Sequence, residues 1–380
     1  MGVGLYIHIP FCKSKCMYCD FCSYSGKEKM MIEYAHALKK EILLSGKGRR
    51  IETVFIGGGT PTYLCLDAWE LISKSLKELN IDDRAEFTVE CNPGTIDIDK
   101  LKLFKKTGVN RISIGLQAWQ DSLLKSIGRI HTRQEFIDSF NMVRAEGFEN
   151  INVDIMFGLP GQGLEDLKET IEELAKLNPE HISCYSLIVE GNTPFGKLYE
   201  KGELKLPDED LEREMYEEAV KLLNEKGYSQ YEISNFSKET FQCKHNIKYW
   251  KAEEYIACGL GAHGYVEGRR YRNQENIKKY IQAVKETGSS VVESHKNSLK
   301  DEIEEFMFMG LRMVEGVSED EFYKRFGLSL WDLYEDVLNK FIKLNLLKWR
   351  DGRLSIKAEA LGISNSIMCE FILDNSCEVL

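Results

Sequence analysis

The sequence predicts an α/β fold: a partial (β/α)6 barrel related to the TIM barrel, followed by a small, mainly helical C-terminal domain. Short apolar segments alternate with longer stretches of helical periodicity up to about residue 235. Such alternation is typical of a parallel sheet, because each crossover between parallel strands needs a helix. Six strand–helix units suit an open, curved sheet better than a complete eight-unit barrel.

The elements follow one another in a regular order. The predicted strands are residues 5–9, 53–57, 86–90, 111–116, 152–156 and 182–188, and the predicted helices are 31–44, 66–79, 98–107, 133–146, 163–177 and 209–225. Shorter strands are expected at 229–233, 255–260 and 263–272, then a polar linker at 287–298.

The last part of the chain predicts helices at 301–314, 318–326 and 330–344 and a hairpin at 347–356, an order that resembles a winged helix. It has no basic recognition face, so we expect a packing domain rather than a DNA-binding one. The predicted division is therefore a barrel (1–235), a connecting region that caps it (236–298) and a helical domain (299–380).

Composition narrows the classes of function. A net charge of −11 over 380 residues argues against a nucleic-acid partner, because phosphate binding depends on Lys and Arg. No apolar run has the length of a transmembrane segment, and no signal peptide is evident. With 11 cysteines spread along the chain, a reducing cytoplasm and a metal site explain the clustered ones better than disulfides do.

Three of these cysteines form the most informative motif. Cys12, Cys16 and Cys19 follow the first predicted strand with the spacing C-x-x-x-C-x-x-C. Three thiolates hold three irons of a 4Fe–4S cluster and leave the fourth iron open to a small molecule. The alternative is a structural zinc site that adds Cys22, although zinc sites usually pair two separated C-x-x-C segments. Cys22 is otherwise a spare thiol or a small buried side chain.

A glycine-rich segment, FIGGGTPT, follows the second strand. Gly58, Gly59 and Thr60 would let backbone amides approach a ligand closely. The segment lacks the lysine of a P-loop, so phosphate binding is not favoured.

Polar residues also follow or interrupt later strands: Glu90, Gln117, Arg129 and Asp154. Each has an ordinary explanation, such as a solvated charge at a strand end or, for Asp154 between Val153 and Ile155, a buried carboxylate with a partner. Together they fall where a barrel places its ligand-binding groups.

The cysteine motif, with Tyr18 before its third cysteine, resembles the signature of radical S-adenosylmethionine enzymes. In that superfamily the cofactor's amino and carboxylate groups chelate the open iron, and the reduced cluster cleaves the cofactor to a radical. The resemblance implies that Cys12, Cys16 and Cys19 bind the cluster. It assigns S-adenosylmethionine to Tyr6, Tyr18, Gly58, Gly59, Thr60, Glu90, Gln117, Arg129 and Asp154.

The order of motifs resembles the oxygen-independent coproporphyrinogen III oxidase family, and most closely its heme-chaperone branch. The oxidases have a long extension before the cysteine strand and a fourth cysteine two places after the third; here five residues precede Tyr6, and Phe21 takes the cysteine's place. The segment HNIKYW resembles the HNxxYW motif of the chaperones, which we expect in a turn. His245 is a candidate heme ligand there, with Cys243 as a rival.

Two functions from different classes follow from this resemblance. The first is a heme chaperone that carries a 4Fe–4S cluster and S-adenosylmethionine and delivers heme to an acceptor hemoprotein. The second is an oxidase that decarboxylates two propionates of coproporphyrinogen III, and a radical methyltransferase of related design is a weaker third. Flavodoxin or ferredoxin is a candidate electron donor. The number of bound S-adenosylmethionine molecules, one or two, is left open.

Overall fold

A computed structural model describes residues 2–373. Its strands are β1 (Val3–Ile9), β2 (Arg50–Gly58), β3 (Asn80–Cys91), β4 (Arg111–Gln117), β5 (Asn150–Phe157), β6 (His181–Ser186), β7 (Ser229–Glu232), β8 (Asn235–Ser237), β9 (Tyr255–Cys258), β10 (His263–Val266), β11 (Arg269–Asn273), β12 (Val291–Lys296), β13 (Val317–Ser318), β14 (Leu347–Arg350) and β15 (Arg353–Ile356).

The helices are α1 (Met31–Ser45), α2 (Leu66–Leu76), α3 (Ile98–Thr107), α4 (Asp121–Ser126), α5 (Arg133–Ala145), α6 (Leu164–Leu177), α7 (Pro194–Glu200), α8 (Glu209–Glu225), α9 (Lys244–Trp250), α10 (Ile277–Thr287), α11 (Leu299–Gly310), α12 (Glu319–Phe326), α13 (Leu330–Lys343) and α14 (Ser364–Met368). Short 3-10 turns lie at Glu28–Met30, Pro61–Tyr63, Ala358–Ile363 and Cys369–Phe371.

Twelve strands form one sheet in the order β12-β11-β10-β9-β1-β2-β3-β4-β5-β6-β8-β7. The pairings from β9 through β6 are parallel, and those at both ends of the sheet are antiparallel. The predicted parallel α/β sheet is thus confirmed, as an open sheet rather than a closed barrel among the described residues.

The two faces of the parallel strands differ in polarity. Leu5 and Ile7 of β1 are fully buried in the hydrophobic core under the helices, whereas Tyr6, between them, lines a cavity on the inner face. In the same way Val89 of β3 belongs to the core, while Glu90 faces the cavity. Successive side chains of a strand point to opposite faces. The apolar side chains therefore pack against the helices and stabilise the fold, while the polar ones face the inside of the curved sheet.

Four features of residues 236–314 differ from the sequence-based expectation. The predicted linker at 287–298 contains β12, whose residues are all exposed because it is an edge strand, so hydrophobic alternation could not reveal it. Helix α10 was not expected, and the HNIKYW segment expected in a turn forms α9. The helix predicted for 301–314 ends earlier, at Gly310.

The predicted domain boundaries at 235 and 298 stay predictions. Strand β9 lies beyond the first boundary yet pairs with β1, so the sheet itself runs across residue 235. After the second, α11, α12 and α13 with the β14–β15 hairpin enclose a separate hydrophobic core. No helix among residues 2–373 is both long and apolar enough to cross a membrane.

A buried carboxylate fastens residues 255–298 to the barrel. Glu41 of α1 accepts hydrogen bonds from Gly259 N (2.7 Å) and the Tyr280 hydroxyl (2.6 Å). It also accepts from Asn273 Nδ2 (3.0 Å) and the Ser290 hydroxyl (3.2 Å). Burial raises the pKa of Glu41. Four donors therefore converge on one side chain, from β11, α10 and two loops.

Replacing Glu41 with Ala should lower the free energy of unfolding by about 3 kcal/mol, because buried donors would lose their acceptor. Urea unfolding followed by circular dichroism measures this. Glu33→Ala on the same helix is the matched control: its exposed ion pair with Lys285 should contribute less than about 1 kcal/mol. Equal effects of the two substitutions would contradict a role for Glu41 in fastening the segment.

Candidate functional site

The carboxyl ends of the parallel strands surround a cavity of about 120 Å³. Its lining includes most of the residues singled out in the sequence: Cys12, Cys16, Tyr18, Cys19, Gly58, Gly59, Thr60, Glu90, Gln117, Arg129 and Asp154. Tyr6 lines an adjoining cavity of about 260 Å³ inside the barrel, which shares Gly58, Glu90 and Asp154 with the first. The structure thus brings these residues together, while their individual roles stay predictions.

The loop after β2 supports the cysteine loop through its backbone. Gly59 N donates to Ile9 O (2.8 Å) and Thr60 N donates to Phe11 O (2.9 Å). A Cβ atom at Gly59 would lie 3.0 Å from Cys12 Sγ and 2.9 Å from Ile9 O, so a side chain there would push the loops apart. The glycine run is therefore required for this close approach.

Two polar groups point at the cysteine sulfurs. The Thr60 hydroxyl donates to Cys12 Sγ (3.6 Å), and Arg129 Nη1 donates to Cys16 Sγ (3.7 Å). Such donors favour the thiolate form that binds iron. Burial raises the pKa of Cys19 to about 11, so metal binding would have to displace its proton.

These residues fit a cluster with one open position. The donors are three thiols beside a cavity, and Arg129 Nε is buried with no hydrogen-bond partner in the described chain. Each of the three thiolates would bind a different iron of the cluster, so they do not have to converge on one metal ion.

Glu90 is the acidic group of the site. It accepts a hydrogen bond from Gly58 N (3.0 Å). Burial, reinforced by the nearby Asp154 carboxylate, raises the pKa of Glu90 to about 8. A Cβ atom at Gly57 would lie 2.8 Å from Glu90 Oε2, so this glycine too is required. Near neutral pH Glu90 can hold a proton or accept hydrogen bonds from a ligand.

Gln117 ends β4 in a left-handed backbone conformation, with φ of +74°, which is uncommon for a residue other than glycine. The register of β4 against β5 shifts between Gly115 and Gln117. The shift turns the Gln117 side chain into the cavity, where its Oε1 accepts from the Tyr185 hydroxyl (3.2 Å).

Arg129 and Asp154 are held by neighbours on the inner face. Arg129 Nη2 donates to Gly115 O (2.5 Å) and to Asn92 Oδ1 (2.8 Å). Asp154 accepts from the Ser113 hydroxyl (3.1 Å) and from Asn152 Nδ2 (2.8 Å). The Asp154 carboxylate therefore has the hydrogen-bond donors that a carboxylate between two apolar residues of a strand needs.

Cys22 lies apart from the other three cysteines of the N-terminal loop. It does not line the cavity; its thiol donates to Glu275 O (3.6 Å) and packs close to Gly261. A four-thiolate zinc site would need Cys22 beside Cys12, Cys16 and Cys19, so this placement disfavours the zinc alternative.

Two family models match this chain. Residues 6–174 match the radical SAM superfamily and residues 297–361 match the HemN C-terminal domain. The heme chaperone HemW of Bacillus subtilis is 40% identical over 97% of this chain and 98% of its own length. HemW of Escherichia coli is 36% identical over 88% of both chains. The chain belongs to the HemW heme chaperone family.

A solved structure confirms the fold of this HemW-family chain. The Escherichia coli coproporphyrinogen III oxidase HemN, a radical SAM enzyme, superposes with a TM-score of 0.86 over 98% of this chain and 90% of its own. The two sequences are only 22% identical, so this likeness establishes the architecture. Membership of the radical SAM superfamily brings with it a 4Fe–4S cluster and S-adenosylmethionine.

In this HemW-family chain His245 of the HNxxYW motif lies beside Thr53, toward the amino end of β2, while its neighbour Asn246 lines the cavity of about 260 Å³ with Tyr6 and Glu90. His245 is 1% exposed, and both ring nitrogens are engaged: Nδ1 with the Thr53 hydroxyl and Nε2 with the Tyr249 hydroxyl, each at 2.8 Å. The ring stacks on Phe55, and burial lowers the pKa of His245 to about 3. Heme ligation by His245 stays a prediction, and it requires one of these bonds to break.

The other members of the motif region are structural as well. Cys243 is fully buried, its thiol donates to Glu86 Oε1 (3.4 Å), and burial raises the pKa of Cys243 to about 12. It is therefore poorly placed as the rival heme ligand. Trp250 lies under the Arg312 guanidinium, 4.4 Å from its ring, which joins α9 to the C-terminal domain.

The lining residues that were not predicted include three polar ones on or just after the strands: Asn92, Ser113 and Tyr185. Ser113 lies on the inner face of β4, two residues before Gly115. Tyr185 lies on the inner face of β6. Strand alternation counted from Asp154 and Glu90 would have found the inner face of each strand. Asn92 follows Glu90 in the same motif and was identifiable by its position at the strand end.

The raised pKa of Glu90 should make stability depend on pH. An ordinary carboxyl ionises near pH 4.5 in the unfolded chain, whereas folded Glu90 keeps its proton to about pH 8. Its contribution to the free energy of unfolding is therefore full below 4.5, falls between 4.5 and 8, and levels off above. Glu90→Gln should remove this dependence and gain stability relative to the wild type, by a few kcal/mol at most.

Urea unfolding of both proteins from pH 5 to 9 measures this difference. Glu135→Gln, a change at an exposed carboxylate in the helix cap of α5, serves as the control for the general effect of charge. A difference between wild type and Glu90→Gln that stays constant across the range would contradict the raised pKa.

Proposed function

We propose that this protein is a heme chaperone that binds heme, a 4Fe–4S cluster and S-adenosylmethionine and transfers heme to an acceptor hemoprotein. The observation that carries the proposal is the 40% identity with a heme chaperone along nearly the whole of both chains. The convergence of the cysteine loop and the polar strand ends on one cavity supports it.

In this proposal Cys12, Cys16 and Cys19 hold the cluster, which when bound supplies one-electron reduction of the S-adenosylmethionine sulfonium. The amides of Gly58, Gly59 and Thr60 already donate to Glu90, Ile9 O and Phe11 O, and by the family resemblance this loop would contact the cofactor's amino group. Glu90 and Asp154 supply acceptors for its amino and hydroxyl groups, and Arg129 a donor. Tyr6, Tyr18 and Gln117 close the remaining sides.

The alternative function is that of a coproporphyrinogen III oxidase, since HemN shares the fold. Phe21 argues against it by the family resemblance, because the oxidases have a cysteine at this position. Phe21 is 61% exposed at the rim of both cavities. An apolar side chain there cannot replace a thiol in ligation or proton transfer.

Two further parts of the proposal concern the protein's surroundings. A low-potential donor such as flavodoxin or ferredoxin would reduce the cluster, and the protein would act in the cytoplasm. The cysteine ligands of a cluster have to be reduced thiols, and a reducing cytoplasm keeps them so.

The deciding experiment is a heme titration of the anaerobically reconstituted protein, with a parallel assay for coproporphyrinogen III turnover and 5′-deoxyadenosine. We expect stable binding of one heme and no conversion to protoporphyrinogen IX. Cys12→Ser should abolish the cluster's absorption, whereas Cys22→Ser should retain it. Turnover of coproporphyrinogen III with reductant and S-adenosylmethionine would favour the oxidase instead.

His245 allows a sharper test of how heme is held. If its imidazole ligates iron, His245→Ala should weaken heme binding at least tenfold and remove imidazole signatures from the electron paramagnetic resonance spectrum. Tyr249→Phe is the matched control, because it removes the hydrogen bond to Nε2 and keeps the imidazole. An unchanged spectrum in His245→Ala would exclude His245 as the ligand.

A further inference from the structure

The surface around the cysteine loop is basic, although the chain as a whole has a net charge of −11. Two segments form it: the cysteine loop (10–20), and the stretch from the first residue of α4 to the first residue of α5 (121–133). We call this surface the basic rim. It carries five cations against two carboxylates. The cations are Lys13, Lys15, Lys125, Arg129 and Arg133, and the carboxylates are Asp20 and Asp121.

The two segments of the basic rim lie against each other beside the second cysteine. Met17 N donates a hydrogen bond to Ile127 O (3.0 Å). Lys13, Cys16 and Ile130 line one small cavity of about 20 Å³ where the segments meet. Cys16 is only partly buried. The positive charge therefore lies at the place where the cysteine site comes nearest to the outside of the protein.

Lys13 and Lys125 are the cations of the rim whose charge is free. Both are exposed, and within residues 2–373 neither forms an ion pair or a hydrogen bond. Asp121 lies one helical turn before Lys125, but its carboxylate accepts a hydrogen bond from Arg133 N (2.7 Å). Two positive charges are thus available to a partner with carboxylates on its surface.

The other three cations have roles inside the chain. Lys15 Nζ donates to a backbone carbonyl at the end of the cysteine loop (2.9 Å). Arg129 Nη1 donates to Cys16 Sγ (3.7 Å), so this guanidinium balances the charge of a thiolate from within the site. Arg133 lies over an aromatic ring. Balancing the thiolates therefore explains Arg129, but it does not explain the outward-facing Lys13 and Lys125.

Two large apolar side chains accompany these cations. Ile130 is 53% exposed and lines the small cavity, and Phe21 is exposed at the rim of the inner cavities. Exposed apolar groups beside charged ones are typical of surfaces that bind another protein. A buried redox centre would present only polypeptide here, whereas a flavin with an exposed ring edge could contact Phe21 and Ile130 directly.

We propose that the basic rim docks a small acidic flavoprotein of the flavodoxin class, steered by Lys13 and Lys125. This inference rests on the proposed function and adds the place where the electron enters. The carrier's reduced flavin loses one electron, that electron passes to the cluster, and no bond forms or breaks. Three residues span at most about 11 Å, so a carrier at Lys13 would lie close to the Cys16 ligand. Weak electron-transfer contacts are small and are steered by charge.

The experiment measures how fast two reductants reduce the full-length, cluster-loaded protein without oxygen. Reduced flavodoxin is the acidic carrier, and photoreduced deazariboflavin is a small uncharged reductant that needs no docking surface. Stopped-flow absorption follows the cluster. Lys13→Glu/Lys125→Glu should lower the second-order rate constant with flavodoxin about tenfold or more at low ionic strength. Reduction by deazariboflavin should not change, and added salt should slow the reaction of flavodoxin with the wild type far more than with the variant.

Cross-linking supplies a readout that does not depend on electron transfer. A carbodiimide joins a lysine amine to a carboxylate in contact with it, so mass spectrometry should find flavodoxin carboxylates linked to Lys13 or Lys125. Cross-links confined to lysines outside residues 10–20 and 121–133 would place the carrier elsewhere and overturn the inference.

Lys102→Glu/Lys106→Glu on the exposed side of α3 is the control with the same change in charge, and flavodoxin should reduce it like the wild type. Should Lys13→Glu disturb cluster assembly, Lys125→Glu alone tests the same surface from outside the cysteine loop. Equal rate constants for the rim variant and the wild type would overturn the inference, as would a wild type that deazariboflavin reduces and flavodoxin does not. If the wild type holds no reducible cluster, the proposed function fails instead.

Discussion

The position of β1 in the middle of the sheet is the constraint on which the rest of the structure depends. It pairs in parallel with β2 on one side and β9 on the other, so it joins the strand–helix units to the later strands. The cysteine loop leaves its carboxyl end and meets the glycine loop of β2. Both loops come together through two backbone hydrogen bonds from Gly59 and Thr60. A change in β1 pairing would therefore displace the cysteines and the barrel floor together.

Much of the candidate site could be predicted because parallel strands all end at the same edge. Glu90 and Gln117 are far apart in sequence, yet strand direction alone places them on one cavity. The opposite end could not be predicted in this way. His245 belongs to a seven-residue helix too short for a periodic signal, and its burial depends on Thr53 and Phe55 from another part of the chain. Strand β12 was missed because an exposed edge carries no alternation.

Helix α9 connects two parts of the molecule, the barrel floor and the C-terminal domain. Glu86 of β3 accepts hydrogen bonds from Lys244 N and His245 N, both at 3.0 Å, and so fixes the start of the helix to the barrel interior. At its end Trp250 stacks with Arg312, which also pairs with the buried Glu232 at 3.3 Å. The HNxxYW segment is thus a junction between the barrel floor and the C-terminal domain. A movement of this segment would disturb its contacts with both.

The polar inner face of the barrel has a consequence for how such a scaffold diversifies. The apolar core lies between the sheet and its helices, so inner residues such as Ser113, Asn152 and Ser183 contribute little of the apolar burial that stabilises the fold. Ser113 and Asn152 are held instead by hydrogen bonds to each other and to Asp154, so a substitution at one of them requires a matching change in its partners. The architecture therefore persists while the side chains on it diverge, as the shared fold at 22% identity illustrates.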